Sequence, residues 1–387
     1  MRDFGRELRN FFRKGDMVLL VMCLAISAFS CLIISSVTGA EKFGGSMRYI
    51  IIQIGATGLG VIMYAIMSSI DLEFLSEHRL AISIINVTLL LLLIPFGTDN
   101  NSGNRSWLSF SFLPFDIQPA EICKILSILI NASVMASHQN NVSSWRSVIH
   151  MVTHLGIVAG LNMLLSRDLG VTLIFVFIFL GMAFAGGVKM LWFAFAGGSL
   201  AVAWPFLWNY FFDEHQKNRI LVLFDSSIDP QGIGVRYHSK LSIASLTGGG
   251  MTGQGLFNGN RTQAGVLPAQ HTDFIFSSIG EELGYLGCGL VIIMLLALVA
   301  RCIWVGAHSP DYMRRTVCYG AAAALMFQII VNIGMCIGLV PVIGLTLPLI
   351  SYGGSSIVTI YAMLGLVSGV HARPSPRSHE RYIQPPR

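Results

Sequence analysis

Charge is what this sequence has least of. Only 12% of its 387 residues are Asp, Glu, Lys or Arg, about half the roughly 25% of a soluble domain. With 53% of residues hydrophobic and a mean hydropathy of +0.66, the composition reads as a polytopic membrane protein and excludes an ordinary soluble enzyme. A disulfide framework is missing too. The seven cysteines (Cys23, Cys31, Cys123, Cys288, Cys302, Cys318 and Cys336) all fall in apolar segments without metal-ligand spacing, so they read as small core hydrophobes. There is no P-loop and no H-E-x-x-H. No internal repeat is visible, which argues against a secondary transporter built from two halves. The net charge of +5 arises from short basic clusters beside apolar runs, so no nucleic-acid partner is called for.

What is present is a series of long hydrophobic blocks. Residues 1–16 are polar and basic (Arg2, Arg6, Arg9, Arg13, Lys14) and precede an apolar run over 17–37, long enough to cross a bilayer. The run is longer than the core of a cleavable signal peptide and lacks a small-residue cleavage site, so it reads as a retained first helix. Further blocks follow at 49–68, 80–97, 117–136, 147–165, 169–186, 188–210, 274–304, 315–340 and 354–371. The expected fold is all-α, with about ten transmembrane helices in a domain over 17–371 and a large loop over 211–272 between helices 7 and 8. Residues 372–387 read as a disordered, Pro- and Arg-rich tail. With both termini cytoplasmic, the inner segments carry fifteen Lys and Arg and the short outer loops four, namely Lys42, Arg48, Arg105 and Arg167. That asymmetry satisfies the positive-inside rule and makes the 211–272 loop extracellular.

This topology puts the interesting residues on one face. The most distinctive stretch, 246–287, is LTGGGMTGQGLFNGNRTQAGVLPAQHTDFIFSSIGEELGYLG. Six glycines between Gly248 and Gly259 free the backbone to adopt positive φ and lie close to a ligand. Gly248–Gly253 spells G-x-G-x-x-G, but no strand precedes it and no βαβ unit surrounds it, so the dinucleotide reading is rejected. Asp273 is the sharpest residue, an acid at a helix mouth with His271 and Thr272 beside it. It reads as the N-cap of the helix that follows and as a functional acid, two roles one carboxylate can combine. Glu281 comes eight residues later, about 12 Å up that helix. Glu121 and Lys124, at i and i+3, can pair on one face of the fourth helix, as a structural ion pair or as part of a cavity. Trp107 reads as an interfacial tryptophan or as part of a ligand site. The spaced cations Lys217, Arg219, Arg236 and Lys240 suit either lipid headgroups or a pyrophosphate. Ser166-Arg167-Asp168 reads as a solvated turn. Pro341, Pro348, Gly353 and Gly354 predict irregular backbone at membrane depth, which is tolerated only inside protein or beside a cavity.

These motifs together resemble the SEDS family (shape, elongation, division and sporulation), the RodA/FtsW/SpoVE group of cell-wall polymerases. The matching residues are RSW at 105–107, QPAE and its lysine at 118–124, DLG at 168–170, RI at 219–220, GGGMTGQG, PAQHTDFIF, GEELGYLG and LPLISYGGSS. The resemblance runs from Met17 to about Gly369. Two departures are visible: Ala120 stands where the family has Ser in QPSE, and Ser166-Arg167 replaces the start of QPDLGT.

The resemblance implies a multi-pass enzyme of the bacterial cytoplasmic membrane that polymerises lipid II into β-1,4 glycan on its outer face. Undecaprenyl diphosphate would be released. It implies a class B penicillin-binding protein as partner, with lipid II, the undecaprenyl-linked growing glycan and membrane lipids as the other contacts, and no nucleic acid. Forming a β bond from an α-linked donor inverts the anomeric centre, so a single general base suffices, and Asp273 is the candidate. The expected substrate-binding set is Arg105, Trp107, Gln118, Glu121, Lys124, Arg219, Arg236, Lys240, His271, Thr272, Glu281, Ser351, Tyr352 and Ser355. Arg219, Arg236, Lys240 and Lys124 could neutralise the pyrophosphate without a metal. No cofactor is assigned, and assistance by a divalent ion is left open. A lipid II flippase and a non-catalytic scaffold for a penicillin-binding protein remain as alternatives.

Overall fold

A computed structural model describes residues 15–39, 47–98, 105–110, 115–210, 212, 214–229, 234 and 236–373. The basic start of the chain, Lys42 and the tail beyond residue 373 lie outside the described residues. Among those described, the chain is almost wholly helical: α1 (Met17–Thr38), α2 (Arg48–Ser69), a short α3 (Leu72–Glu77), α4 (Arg79–Phe96), α5 (Pro119–Ser137), α6 (Trp145–Ser166), α7 (Leu169–Ala185) and α8 (Met190–Tyr210). After these come α9 (Glu214–Leu221), α10 (Tyr237–Gly249), α11 (Asn260–Gln263), α12 (Ile275–Ala307), α13 (Tyr312–Cys336) and α14 (Gly354–Ala372). One small hairpin pairs β1 (Gly97–Thr98) with β2 (Trp107–Leu108). Nine described helices are long and apolar enough to span a membrane, and α7, with 17 residues, is a shorter apolar tenth. The expected all-α polytopic architecture is therefore present, and the 211–272 loop proves to contain α9, α10 and α11.

Burial sorts these helices into layers. α5, α13 and α14 are largely enclosed by protein, whereas α8 has no buried residue in its membrane-spanning window and makes no extensive contact with another described helix. α2 packs closely along α14, where Gly365 lies under Tyr64 and Gly369 under Ser68; a methyl group at either position would meet backbone within 2.8 Å. Small residues allow this approach, and close packing supplies the association that apolar burial cannot provide in lipid.

One end of the bundle is tied by buried charge. Asp16 caps α1 by accepting from the Leu19 N–H at 3.0 Å and takes two hydrogen bonds from the Arg301 guanidinium of α12, both 2.9 Å. Its carbonyl accepts from the Tyr64 hydroxyl of α2 at 2.9 Å, and its N–H donates to Ser368 Oγ of α14 at 3.0 Å. Arg314, at the start of α13, is 3% exposed and pairs with Glu73 of α3 at 2.6 Å. A buried arginine needs such partners, because an unpaired charge away from water is costly.

α12 is kinked. Gly284 has φ +67° and breaks the helical backbone. The groups freed by the break are taken up by the glycine-rich loop: Gln254 and Gly255 N–H donate to the Glu281 and Glu282 carbonyls, both at 2.9 Å, and Tyr285 and Leu286 N–H donate to Gly250 and Met251 carbonyls at 2.9 and 3.2 Å. Gly253 (φ +79°) lies so near the 282–283 peptide that a Cβ would overlap it. The glycines expected to approach a ligand thus approach a helix instead, because a broken helix in a membrane must find new backbone partners. Gly284→Ala forces a side chain into backbone that essentially only glycine adopts, at about 1–3 kcal/mol, and into the Gly253 backbone besides. A thermal unfolding scan of the purified protein should show a clearly lowered midpoint, while Gly289→Ala, facing open space on the same helix, stays within a degree or two.

Candidate functional site

The residues 269–274 form a turn between the glycine-rich loop and α12. Ala269, with φ +48°, lets its carbonyl accept from Thr272 and Phe274 N–H at 3.1 and 3.2 Å. Three successive carbonyls of this turn are then bound from outside. The His271 carbonyl accepts from Tyr352 N–H at 2.9 Å. The Thr272 carbonyl accepts from Ser351 Oγ at 2.6 Å, and the Asp273 carbonyl from Asn332 Nδ2 at 2.8 Å. Asn332 is fully buried on α13 and also donates to the Leu345 carbonyl at 2.6 Å, while Leu347 N–H donates to Ser351 Oγ at 2.8 Å.

The partner in most of these bonds is the non-helical segment 337–353, irregular as its prolines and glycines predict. Gly338, Gly344 and Leu349 have positive φ there. Gly344 faces Asp273: a Cβ on it would lie 3.4 Å from Asp273 Oδ2. His271 packs with Tyr49 and Tyr352, ring centroids 5.3 and 5.6 Å away. The structure therefore brings His271, Thr272, Asp273, Ser351 and Tyr352 together.

Asp273 is not the cap of α12. The helix starts at Ile275, its N-cap is Phe274, and no side chain caps it. The carboxyl is half-buried, and burial raises its pKa to about 6, opposed by a hydrogen bond with Thr272 and reinforced by the charge of Asp168. The acid is held at the helix mouth by its backbone, with its side chain uncommitted to the helix.

A second group lies on α5 and α14. Lys124 Nζ is 2.8 Å from Glu121 Oε1, both residues 5% exposed, and Glu121 Oε2 accepts from Thr359 Oγ1 at 3.0 Å. Gln118 N–H donates to Ser355 Oγ at 3.2 Å. Glu121, Lys124, Gln328 and Thr359 line a small cavity between α5, α13 and α14. Asp168, expected in a solvated turn, is half-buried. It caps α7 by accepting from Val171 N–H at 3.0 Å. Burial raises its pKa, backbone hydrogen bonds from Val171 and Gly170 lower it, Glu121 raises it and Lys124 lowers it. The charge of Asp168 in turn raises the pKa of Asp273. The DLG motif was the signal for Asp168; for Asn332 the signal was an amide in the middle of an apolar run.

The remaining expected residues are placed less centrally. Arg219, exposed on α9, donates to the Val342 carbonyl at 3.2 Å, which fixes it on the irregular segment. His238 of α10 stacks on Phe274 with centroids 6.1 Å apart, and its pKa is lowered by burial and by Arg219. Lys217 pairs with Glu214 at 2.9 Å, and Arg236 and Lys240 are exposed around the start of α10. Arg105 is exposed and Trp107 half-buried in the β1–β2 hairpin. Glu281 lies apart from the Asp273 group. Its oxygens accept from Arg261 N–H at 2.9 Å, Thr262 N–H at 2.8 Å and Thr262 Oγ1 at 2.7 Å, so it anchors α11 to α12.

Known proteins share this architecture. The family model described as cell cycle protein, covering FtsW, RodA and SpoVE, matches residues 15–375. The peptidoglycan glycosyltransferase MrdB of Escherichia coli (strain K12) is 31% identical over 361 residues, 92% of this chain and 93% of that protein. Stage V sporulation protein E of Bacillus subtilis (strain 168) is also 31% identical over 361 residues, 92% of this chain and 96% of that one. Among solved structures, a chain of a peptidoglycan synthase complex, in which polymerization and crosslinking are coordinated, superimposes with a TM-score of 0.77 at 27% identity, covering 92% of this chain and 97% of that chain. RodA, the rod shape determining protein of Thermus thermophilus, gives a TM-score of 0.65 at 25% identity over 92% of this chain and 96% of its own. With the family's model spanning nearly the whole chain, this protein belongs to the FtsW/RodA/SpoVE family.

Proposed function

We propose that this chain is a peptidoglycan glycosyltransferase of the bacterial cytoplasmic membrane that polymerises lipid II into β-1,4 glycan on the outer face, beside a class B penicillin-binding protein. Relatives named as peptidoglycan glycosyltransferases support the activity, and similarity to a chain from a peptidoglycan synthase complex supports the partner. The observation that carries the reading is the Asp273 carboxyl, held at a helix mouth without capping it and with a pKa of about 6. An acid so placed, free of the helix and with its pKa near neutrality, suits a general base.

The chemistry follows from the position. Asp273, mostly ionised at neutral pH, takes the proton of the acceptor sugar's 4-hydroxyl. That oxygen forms a bond to the donor's anomeric carbon as the bond from this carbon to the pyrophosphate oxygen breaks. One displacement inverts the centre, and the lipid pyrophosphate leaves with the electron pair. A base whose pKa lies near the working pH combines availability with driving force. Arg219, held on the 337–353 segment by the Val342 carbonyl, is the first candidate to receive the pyrophosphate charge, with the exposed Arg236 and Lys240 of the α10 start as further candidates. Preorganised cations stabilise charge as it develops.

Asp273→Asn keeps the size of the side chain and removes its basicity. Because the side chain does not cap α12, the thermal midpoint should hold, while glycan formation from purified lipid II falls at least about 100-fold, the lower end for a lost acid–base group. Polymer at the wild-type rate on a gel assigns the base elsewhere.

The orientation has its own test. Six of the seven native cysteines are buried and Cys31 is partly so; with all replaced, single cysteines at the exposed Asn258 and Asn140 should label from opposite sides. An impermeant thiol reagent should reach Asn258→Cys in intact cells and Asn140→Cys only after lysis. Labelling of both in intact cells rejects the proposed topology.

A further inference from the structure

At the end of the bundle away from Asp273, α6, α7 and the loosely held α8 enclose a crevice of about 350 Å³. Its walls are apolar, with Trp145 and Met151 on α6, Phe179 on α7, Val188 before α8, and Trp192 and Phe195 on α8. The mouth is built. Trp192 Nε1 donates to the Ser143 carbonyl and Lys189 N–H to Ser143 Oγ, both at 2.9 Å, so the start of α8 is fastened to the turn before α6. Trp145 and Trp192 lie nearly parallel across the mouth, centroids 6.0 Å apart. Tryptophans in this position mark headgroup depth.

Cations adjoin two of the lining residues, Trp145 and Val188. Arg146 follows Trp145, Lys189 adjoins Ser143, and both are exposed. Arg79 reaches the same end, its guanidinium 3.4 Å from Ser137 Oγ. No Asp or Glu occurs in 138–152 or 183–199, and among the described residues none of these three cations forms an ion pair. A bilayer offers acyl chains everywhere, so an apolar crevice alone selects nothing. Cations without carboxylate partners at its mouth do select, because each attracts an anionic headgroup. We propose that this crevice holds an acyl chain of an anionic glycerophospholipid from the surrounding leaflet, with its phosphate on Arg146 and Lys189. The lipid would close the open side of α8, and the site is separate from the one assigned to catalysis.

The probe is phosphatidylglycerol against phosphatidylcholine with identical chains, mixed equally in the bilayer that holds the full-length protein. Native mass spectrometry of the released protein reads which lipid stays bound. Wild type should retain phosphatidylglycerol preferentially. Arg146→Gln with Lys189→Gln should lower that preference roughly fivefold for each cation removed. Ala196→Trp, which fills the crevice and leaves the cations, should lower retention as strongly; Ser199→Trp supplies the same block should Ala196→Trp fail to fold. Equal retention of both lipids by wild type overturns the proposal. So does unchanged phosphatidylglycerol retention in the filled variants, which reduces the effect to surface charge, or a lipid-free dimer, which puts a second copy in the crevice.

Discussion

Backbone that leaves helical geometry inside a membrane must find a partner for every N–H and C=O it frees. Two such departures shape this protein, and each is satisfied by another irregular segment. The kink at Gly284 is filled by the 250–255 loop. The 271–273 turn gives its three carbonyls to Tyr352, Ser351 and Asn332. Both arrangements sit around the first turns of α12, so the loop, the helix mouth and the 337–353 segment form one rigid assembly. Asp273 inherits its position from that assembly.

This explains why the acid can be reactive. A carboxylate that caps a helix is stabilised in its charged form by backbone N–H groups and becomes a weak base. Asp273 escapes that fate because the cap position falls to Phe274. Burial then works on it unopposed by capping bonds, with the charge of Asp168 in the same direction. Glu121 and Lys124 act on Asp168 in opposite senses, the first raising and the second lowering its pKa.

Much of the fold could be read from hydropathy, because membrane helices announce themselves by length and apolarity. The apolar block at 169–186 corresponds to α7, and the broken pattern around Pro341 and Pro348 corresponds to the irregular segment. Asp273 stood out as an acid at a helix mouth. What stayed hidden depended on tertiary contacts. The glycines of 248–259 signalled a close approach but not its object, which proved to be α12. Gly284 gave no sign of a kink, since glycine is common in membrane helices. Asp168 looked like a turn residue because its neighbours Glu121 and Lys124 are far away in the chain. Glu281 seemed well spaced for a ligand, yet its oxygens are occupied by Arg261 and Thr262.

The central claim is that Asp273 acts as a base whose pKa is set by burial and by Asp168. The direct measurement is the rate of glycan formation against pH, for wild type and for Asp168→Asn, with saturating lipid II. For wild type the rate should climb with pH through about 6, as the carboxyl ionises. Removing the negative charge of Asp168 eases that ionisation, so the limb should move to lower pH in the variant. A limb in the same place for both proteins, or a rate that falls as pH rises through 6, would contradict the account.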